Sequence, residues 1–304
     1  MIDRASILQD REILAMLRKD FVPVAIDQWY TREQKDVEGR FYRNIIRNSP
    51  RSDPKQTTQG FYIASPGGHL IDYNNNRGVR QVRSFMEDAL KQNVSMESKP
   101  LLMEHVDQSR HHELPAGGIV ARVNSKVLSG YESPDRPYAK IFQDAIGRDN
   151  LWITATEQSD LANGSFPTSL ARKIVRFHLV DNTRGEPPMW RPEEIKSMEI
   201  EIDADGVITG EAHLETEDGK RGYVGALRGS AEFETARGTN AKKLKSFDLV
   251  SKGKFWGAGR YTKRPPKGKF DFAIAIRLAD GTDVSDPVLP QALKAAGPEA
   301  YRNP

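Results

Sequence analysis

The chain has 304 residues, of which 38% are hydrophobic and 29% are charged, and it contains no cysteine. It has no run of about 18 to 20 consecutive apolar residues, so the sequence predicts no membrane-spanning helix. The lack of cysteine excludes disulfide bonds, thiol catalysis, iron–sulfur clusters and cysteine-ligated zinc.

Charge is nearly balanced over the whole chain. The 45 basic and 42 acidic residues give a net charge of +3, and the two signs alternate along most of the sequence. Nucleic-acid-binding proteins usually carry a concentrated basic stripe with aromatic residues. The composition therefore argues against nucleic acid as a partner, and only the basic loop at residues 263–269 speaks for it.

Familiar cofactor and catalytic motifs are missing from the sequence. It has no Rossmann fingerprint, phosphate-binding loop, His-Glu-x-x-His helix or Gly-x-Ser-x-Gly elbow. The sequence therefore has no signal for a flavin, nicotinamide, haem or iron–sulfur group, and it leaves the cofactor unknown. The first six residues lack the basic and apolar regions of a secretory signal, which predicts a cytoplasmic protein; export with the signal peptide already removed is the alternative.

The first predicted domain, residues 1–95, alternates helical and strand patterns. Apolar residues recur at helical spacing in three segments. Two further segments, residues 60–64 and 69–73, have the pattern of strands and are joined by a Pro-Gly-Gly turn. The predicted elements are a helix at 6–18, a strand at 21–26, a helix at 32–46, a hairpin at 60–73 and a helix at 77–91.

An aromatic pair, Trp29 and Tyr30, marks the junction between the predicted strand and the second helix. With this element order, the segment resembles the thioredoxin-like fold, in which a Trp precedes a Cys-x-x-Cys pair. Trp29 stands at the tryptophan position, whereas Tyr30 and Glu33 stand where the cysteines would be. The loop at 57–60 also lacks the proline that usually precedes the hairpin. The resemblance implies a thioredoxin-like fold for residues 7–91, and the missing cysteines exclude thiol–disulfide exchange.

The same junction gives the first set of predicted ligand-binding residues. In the thioredoxin-like family this groove holds an extended peptide, and it would be lined here by Trp29, Tyr30, Arg32, Glu33 and Gln59. Aromatic residues beside an arginine suit a recognition surface. The alternative is that Trp29 packs against the next helix and Tyr30 covers the core.

The second predicted domain is antiparallel β. A polar linker, residues 96–116, leads to a domain at 117–286 with period-two hydrophobicity and two Asp-Gly turns, and a proline-rich tail at 287–304 is expected to lie on the surface or to be loose. About eight strands are predicted, which implies a barrel or a two-sheet sandwich. Residues 173–180 are one of these strands.

A dense group of polar residues follows that predicted strand. His178 and Asp181 are candidates for a catalytic base and its orienting carboxylate, with Glu157 or Glu186 as the acid and Arg184 as an anion clamp. Alternatively, residues 181–183 bond their own backbone in a turn and Arg184 pairs with Glu186. Arg176 and Trp190 complete the predicted ligand-binding residues of this domain, together with Arg184.

A second cluster on one predicted strand face offers a weak metal site. Glu211, His213 and Glu215 alternate along the strand, and two carboxylates with one histidine can hold a divalent metal. Alternating charged residues are far more often the solvent face of a strand.

Two functional hypotheses follow from the sequence. The first is a non-redox binding protein, in which a cysteine-free thioredoxin-like module joins a β domain and the partner is a protein, a peptide or a small molecule. The second is a hydrolase or metal-assisted enzyme with its site near residues 178–186.

Overall fold

The computed structural model describes residues 7–53, 55–92, 107, 113–131, 137–235, 242–262, 264–283, 285–295 and 299–304. The chain divides into two compact units. The N-terminal unit is Ser6–His111, and the C-terminal unit consists of Met1–Ala5 and His112–Pro304. The predicted linker at 96–116 lies mostly outside the described residues. None of the helices found in the described ranges is long and apolar enough to cross a membrane.

The N-terminal unit combines helices with one hairpin. Its elements after a 3₁₀ turn at Ile7–Gln9 are α1 (Arg11–Asp20), α2 (Gln28–Thr31), α3 (Val37–Arg47), β1 (Phe61–Ala64), β2 (Leu70–Asn74) and α4 (Val79–Leu90). The Asp10 carboxylate caps α1 by accepting from the backbone N–H groups of Glu12 and Ile13. β1 and β2 pair antiparallel, so the predicted hairpin is confirmed. The small core joins α1, α4 and the hairpin through Ile13, Val82 and Phe85.

The predicted strand at residues 21–26 does not form. The segment has no regular secondary structure. Phe21 packs against the small core, but residues 22–26 are exposed, with Val22 90% and Val24 72% exposed. β-branched residues predicted a strand here, but a strand also needs a partner. Pro23 has no N–H to contribute to a ladder, and β1 and β2 pair only with each other among the described strands.

The C-terminal unit is built on one antiparallel sheet of seven strands. The strands are β3 (Ile119–Val127), β4 (Ile146–Ile153), β5 (Ile195–Ile202), β6 (Val207–Glu215), β7 (Gly222–Thr235), β8 (Lys242–Trp256) and β9 (Lys269–Leu278). Their spatial order is β4-β3-β9-β8-β7-β6-β5. The four connections from β5 to β9 join neighbouring strands, and the turns before β6 and β7 contain Gly206 and Gly219 at φ +80° and +66°. The Asp-Gly signals in the sequence therefore predicted these two hairpins correctly.

Three helices accompany the sheet: α5 (Pro137–Asp144), α6 (Ala155–Ala162) and α7 (Thr168–Lys173). A π-helical turn, Ile174–His178, continues α7, and the Leu179 N–H donates to the Ile174 carbonyl at 3.0 Å. The strand predicted at 173–180 is therefore wrong. Both its alternating faces are buried, and a segment that is apolar or buried all round cannot be assigned to helix or strand by periodicity alone.

The expected barrel closure is absent from the described sheet, which is open, with β4 and β5 at its ends. It is one sheet, so the alternative of a two-sheet sandwich is also wrong. A single hydrophobic core covers one sheet face and includes Phe177, Trp190, Phe247, Phe272 and Tyr301.

Side chains, not another strand, close the outer edge of β4. The outward N–H of Trp152 donates to the Tyr301 hydroxyl at 3.1 Å, and the Trp152 carbonyl accepts from Lys173 Nζ at 3.3 Å. The Asn150 side chain donates to the Ser285 and Val288 carbonyls at 2.6 and 3.1 Å. A buried edge must satisfy its backbone polar groups. The Tyr301 and Lys173 contacts do so for Trp152, and the Asn150 side chain joins the edge to the segment at 285–288.

The C-terminal segment is part of the core, which corrects the expectation of a loose surface tail at 287–304. Leu293 and Tyr301 are 2% and 1% exposed, and Tyr301 lies on a last short helix, α8 (Glu299–Arg302). The prolines in this segment suggested a loose tail, but its apolar residues pack against the sheet.

We expect Tyr301→Phe to lower the free energy of unfolding of the C-terminal unit by about 2 to 4 kcal/mol. The change leaves the Trp152 N–H and His178 Nε2 without their shared hydroxyl partner, and each unsatisfied buried group costs about 1–3 kcal/mol. Urea denaturation measures the effect. The control Tyr261→Phe removes an exposed hydroxyl and should change stability by less than about 0.5 kcal/mol. Equal stability of the two variants would contradict edge closure by Tyr301.

Candidate functional site

The junction at α2 is the first candidate site. The Asp27 carboxylate accepts from the Trp29 N–H at 2.9 Å and so starts α2. Gln28 Oε1 accepts from the Thr58 N–H at 2.6 Å and from the Thr58 hydroxyl at 3.0 Å. The beginning of α2 is therefore fixed against the loop that precedes the hairpin.

The predicted groove residues divide into two groups. Trp29 is 46% exposed, and the Arg32 guanidinium carbon lies 5.0 Å from its ring centroid. Arg32 also lies 3.9 Å from Glu33. Tyr30 points elsewhere, because its hydroxyl donates to the Asp107 carbonyl at 2.8 Å. The Arg32 side chain is 10% exposed and donates to the Gln56 carbonyl at 2.6 Å, so Arg32, like Tyr30, has a structural contact. Trp29, Glu33 and Gln59 are exposed.

Sequence reasoning missed the exposed residues immediately before α2. Val22, Val24 and Ile26 are 90%, 72% and 44% exposed. They alternate along the chain, as they would on one face of a strand, but no described strand pairs with them. Pro23 was the available signal, because a proline inside a β-branched run favours an edge or an unpaired segment.

His178 lies in a fully buried polar cluster. It is 2% exposed, and its Nε2 lies 3.0 Å from the Tyr301 hydroxyl. Nearby, Lys173 Nζ lies 2.8 Å from Glu157 Oε2, and both side chains are buried. Burial, and then the positive charge of Lys173, lowers the pKa of His178 to about 3. An imidazole with this pKa is neutral at physiological pH and a weak base.

Asp181 does not orient His178. Its carboxylate accepts from the Thr183 N–H at 3.0 Å and the Thr183 hydroxyl at 2.6 Å, and it forms a buried ion pair with Arg184. Arg184 Nη1 in turn donates to the Thr262 carbonyl at 2.6 Å. Asp181 therefore bonds within its own turn, and Arg184 ties that turn to the loop at 257–268. Glu186, which follows the turn in sequence, is half-buried.

Arg176 and Trp190 are buried and have structural contacts. Trp190 is fully buried, and its indole N–H donates to the Leu179 carbonyl at 2.7 Å. Arg176 Nε donates to the Trp190 carbonyl at 3.1 Å. The Arg221 guanidinium carbon lies 3.7 Å from the Trp190 ring centroid, and burial lowers the pKa of Arg221 to about 10. No ligand can reach Trp190 in this arrangement.

The candidate metal residues do not converge. His213 Nε2 lies 3.3 Å from Glu215 Oε2, and Glu211 is exposed on the same strand, β6. Within the ranges that the structure describes, no group of three or more His, Asp or Glu side chains could hold a metal ion.

Two shallow hollows occur on the C-terminal unit, and neither contains a predicted catalytic residue. One, of 520 Å³, lies on the exposed face of β7, β8 and β9 and is lined by residues such as Val224, Lys252 and Asp271. The other, of 410 Å³, is lined by polar residues that include Gln158 and Lys242.

Comparison with known proteins gives no match to a protein-family model, a curated protein or a solved structure.

Acid is expected to destabilise the C-terminal unit through His178. Its pKa is 6.5 when unperturbed and about 3 in the fold, so between these values the unfolded state binds a proton that the folded state does not. Stability is therefore fully present above pH 6.5 and falls as the pH drops towards 3, by about 1.4 kcal/mol per unit. Urea unfolding at pH 7.5 and 5.0 should show a loss of about 2 kcal/mol from this residue.

The variant His178→Gln should lack this part of the pH dependence, whereas His213→Gln, which changes a partly exposed histidine on β6, should keep it. NMR titration of the imidazole gives an independent measurement. A His178 resonance that titrates near pH 6.5 would contradict its buried, neutral state.

Proposed function

We propose that the protein is a non-redox binding protein whose N-terminal unit binds an extended segment of a partner polypeptide along residues 22–29. The observation that carries this proposal is the exposure of Val22, Val24, Ile26 and Trp29. Of the 13 large hydrophobic side chains that are exposed in the described chain, these four lie within eight residues. Isolated exposed apolar residues are normal, but a contiguous group marks an interaction surface.

The backbone of this segment favours strand addition. Among the described residues, no backbone hydrogen bond is made by the N–H or carbonyl groups of Val22, Val24 and Ile26. When the segment is extended, these alternate residues would present their polar groups to one edge, and Pro23 would interrupt only the opposite edge. A partner strand can therefore pair with residues 22, 24 and 26, and strand addition gains affinity from such main-chain hydrogen bonds.

Specificity would come from the side chains at the end of the segment. Trp29 lies in α2 and Arg32 directly follows the helix, with its guanidinium carbon 5.0 Å from the Trp29 ring centroid. These residue types dominate the energetics of many interfaces. Glu33 and Gln59 add polar groups at the rim. The surface thus combines an apolar strip with a small number of directional groups.

The proposal includes a thioredoxin-like fold for the N-terminal unit. It is supported by the contact of Gln28 with Thr58, because in that family the groove lies between the same two segments. The absence of cysteine makes binding, not redox exchange, the activity that such a module can perform.

The hydrolase alternative gains no support from residues 178–186. His178 and Asp181 are both 2% exposed, and each is bonded to a different structural partner. A catalytic base must lie within hydrogen-bond reach of a reactant, and this cluster offers no such access.

Hydrogen exchange tests the proposed surface in two states of the intact chain. In the free protein, the amides of Val22, Val24 and Ile26 should exchange at nearly the rate of an unstructured peptide, since no hydrogen bond protects them. A 12-residue peptide selected from a displayed random library should protect these three amides and leave that of Ala25 unprotected.

Val24→Asp should abolish binding of the selected peptide in calorimetric titration, because it places a charge in the apolar strip. The matched control Val207→Asp, at another exposed valine, should bind normally. Strong protection of residues 22–26 in the free protein would refute the proposal, since the segment would then be paired within its own chain. Equal binding by the Val24→Asp variant would also refute it.

A further inference from the structure

Positive charge is concentrated at one end of the β8–β9 hairpin. Between Asp248 and Asp271 the sequence contains seven basic residues and no acidic residue, whereas the whole chain has a net charge of +3. The remainder of the chain is therefore net negative. The alternation of charge over most of the sequence does not extend to this stretch.

Six of the seven basic residues lie in the described ranges, and Lys263 lies outside them. All six are exposed; they are Lys252, Lys254, Arg260, Arg264, Lys267 and Lys269. We call residues 252–269 the basic surface. Lys254 lies 2.8 Å from Asp271, and Lys252 also interacts electrostatically with that carboxylate. Arg260 and Arg264 have no carboxylate partner in the described part of the chain, so their charge is available to an external anion.

Aromatic rings lie between these cations. Tyr261 is 60% exposed, and the Arg260 guanidinium carbon lies 5.5 Å from its ring centroid. Lys269 Nζ lies 4.3 Å from the centroid of the Trp256 ring. An exposed ring beside unpaired cations can stack on a nucleobase while the cations contact the adjacent phosphates.

Two hydrogen bonds to Thr262 fix part of the loop of the basic surface. Arg184 Nη1 donates to the Thr262 carbonyl, and the Gly259 N–H donates to the Thr262 hydroxyl at 2.6 Å. Arg264 adopts φ +63°, the one positive φ at a non-glycine residue in the described chain. Such a conformation costs free energy and persists when its surroundings enforce it. A preorganised loop loses less conformational entropy when it binds.

A hollow of 520 Å³ continues the basic surface along the exposed sheet face. It is lined by Lys252, Lys254 and Arg228, by the Asp271 carboxylate, which pairs with Lys254, and by small or apolar residues such as Ala226 and Val250. Cationic side chains outnumber the one carboxylate there, and the apolar residues can contact the sugar and base of a nucleotide whose phosphates contact Lys252 and Arg228.

We propose that the basic surface binds single-stranded nucleic acid, with Lys252, Arg260 and Arg264 contacting phosphates and Tyr261 stacking on a base. An exposed unpaired base offers the ring a flat partner, which an acidic polypeptide does not. The exposed loop residues described here include no large aliphatic side chain that could enter a bilayer. This inference concerns the C-terminal unit and stands independently of strand addition at residues 22–29.

Fluorescence anisotropy with a labelled 20-nucleotide oligouridylate tests the proposal on the intact chain at several salt concentrations. Tyr261→Ala should weaken binding about tenfold, the effect of losing one stacked base, with an unchanged salt slope. The double variant Lys252→Gln/Arg260→Gln should reduce the slope of log K against log salt by about 1.4, because each phosphate contact on a single strand contributes about 0.7.

The matched control is Lys242→Gln/Lys243→Gln, which removes two exposed lysines at the opposite end of β8 and should leave both affinity and slope unchanged. Circular dichroism establishes that all variants fold. Absence of saturable binding, an unaffected Tyr261→Ala variant, or an equal loss in the control would overturn the proposal. Displacement of the oligonucleotide by polyglutamate, or by phosphatidylserine vesicles, at equal charge concentration would also overturn it, since the surface would then recognise charge alone.

Discussion

The closure of the outer edge of β4 is the constraint on which the C-terminal unit depends. An open sheet whose terminal strand is buried leaves backbone N–H and carbonyl groups without partners, and each such group is costly. Here the two outward groups of Trp152 are satisfied by Tyr301 and Lys173. Lys173 needs Glu157 to neutralise its buried charge, and the hydroxyl of Tyr301 contacts His178. The buried polar cluster follows from the requirements of one strand edge.

The same logic accounts for the turn after the π-helical segment. A buried ion pair loses much of its attraction to desolvation, so it contributes little net stability unless it also satisfies other polar groups. The Asp181–Arg184 pair does this, because Asp181 bonds the turn at Thr183 and Arg184 bonds the Thr262 carbonyl. In sequence, His178, Asp181 and Arg184 have the composition of a catalytic site. In the fold, their side chains make structural hydrogen bonds, and the bond from Arg184 to the Thr262 carbonyl fixes the loop that carries Tyr261.

Local patterns in the sequence predicted most of the sheet. The hairpins that flank Gly206 and Gly219 depend on neighbouring residues, and the alternation in β9 identifies its buried face without further information. The strands at 21–26 and 173–180 were predicted wrongly because period-two hydrophobicity does not show whether a segment has a partner. The partner of His178 is Tyr301, 123 residues away. No rule of spacing in a single sequence connects those two positions, so the structural role of the cluster could not be predicted.

The two surfaces proposed for binding differ in the force that would drive association. Residues 22–29 offer apolar side chains, and Val22, Val24 and Ile26 add backbone groups that make no hydrogen bond among the described residues. Neither contribution depends strongly on ionic strength. The basic surface offers cations whose contacts with phosphate release counterions, so its affinity falls steeply with salt. Salt dependence therefore separates the two activities in the intact chain. The composition of the protein conceals the second surface because a net charge of +3 averages a strongly basic stretch with an acidic remainder. What decides binding is the local arrangement of charge on a preorganised loop.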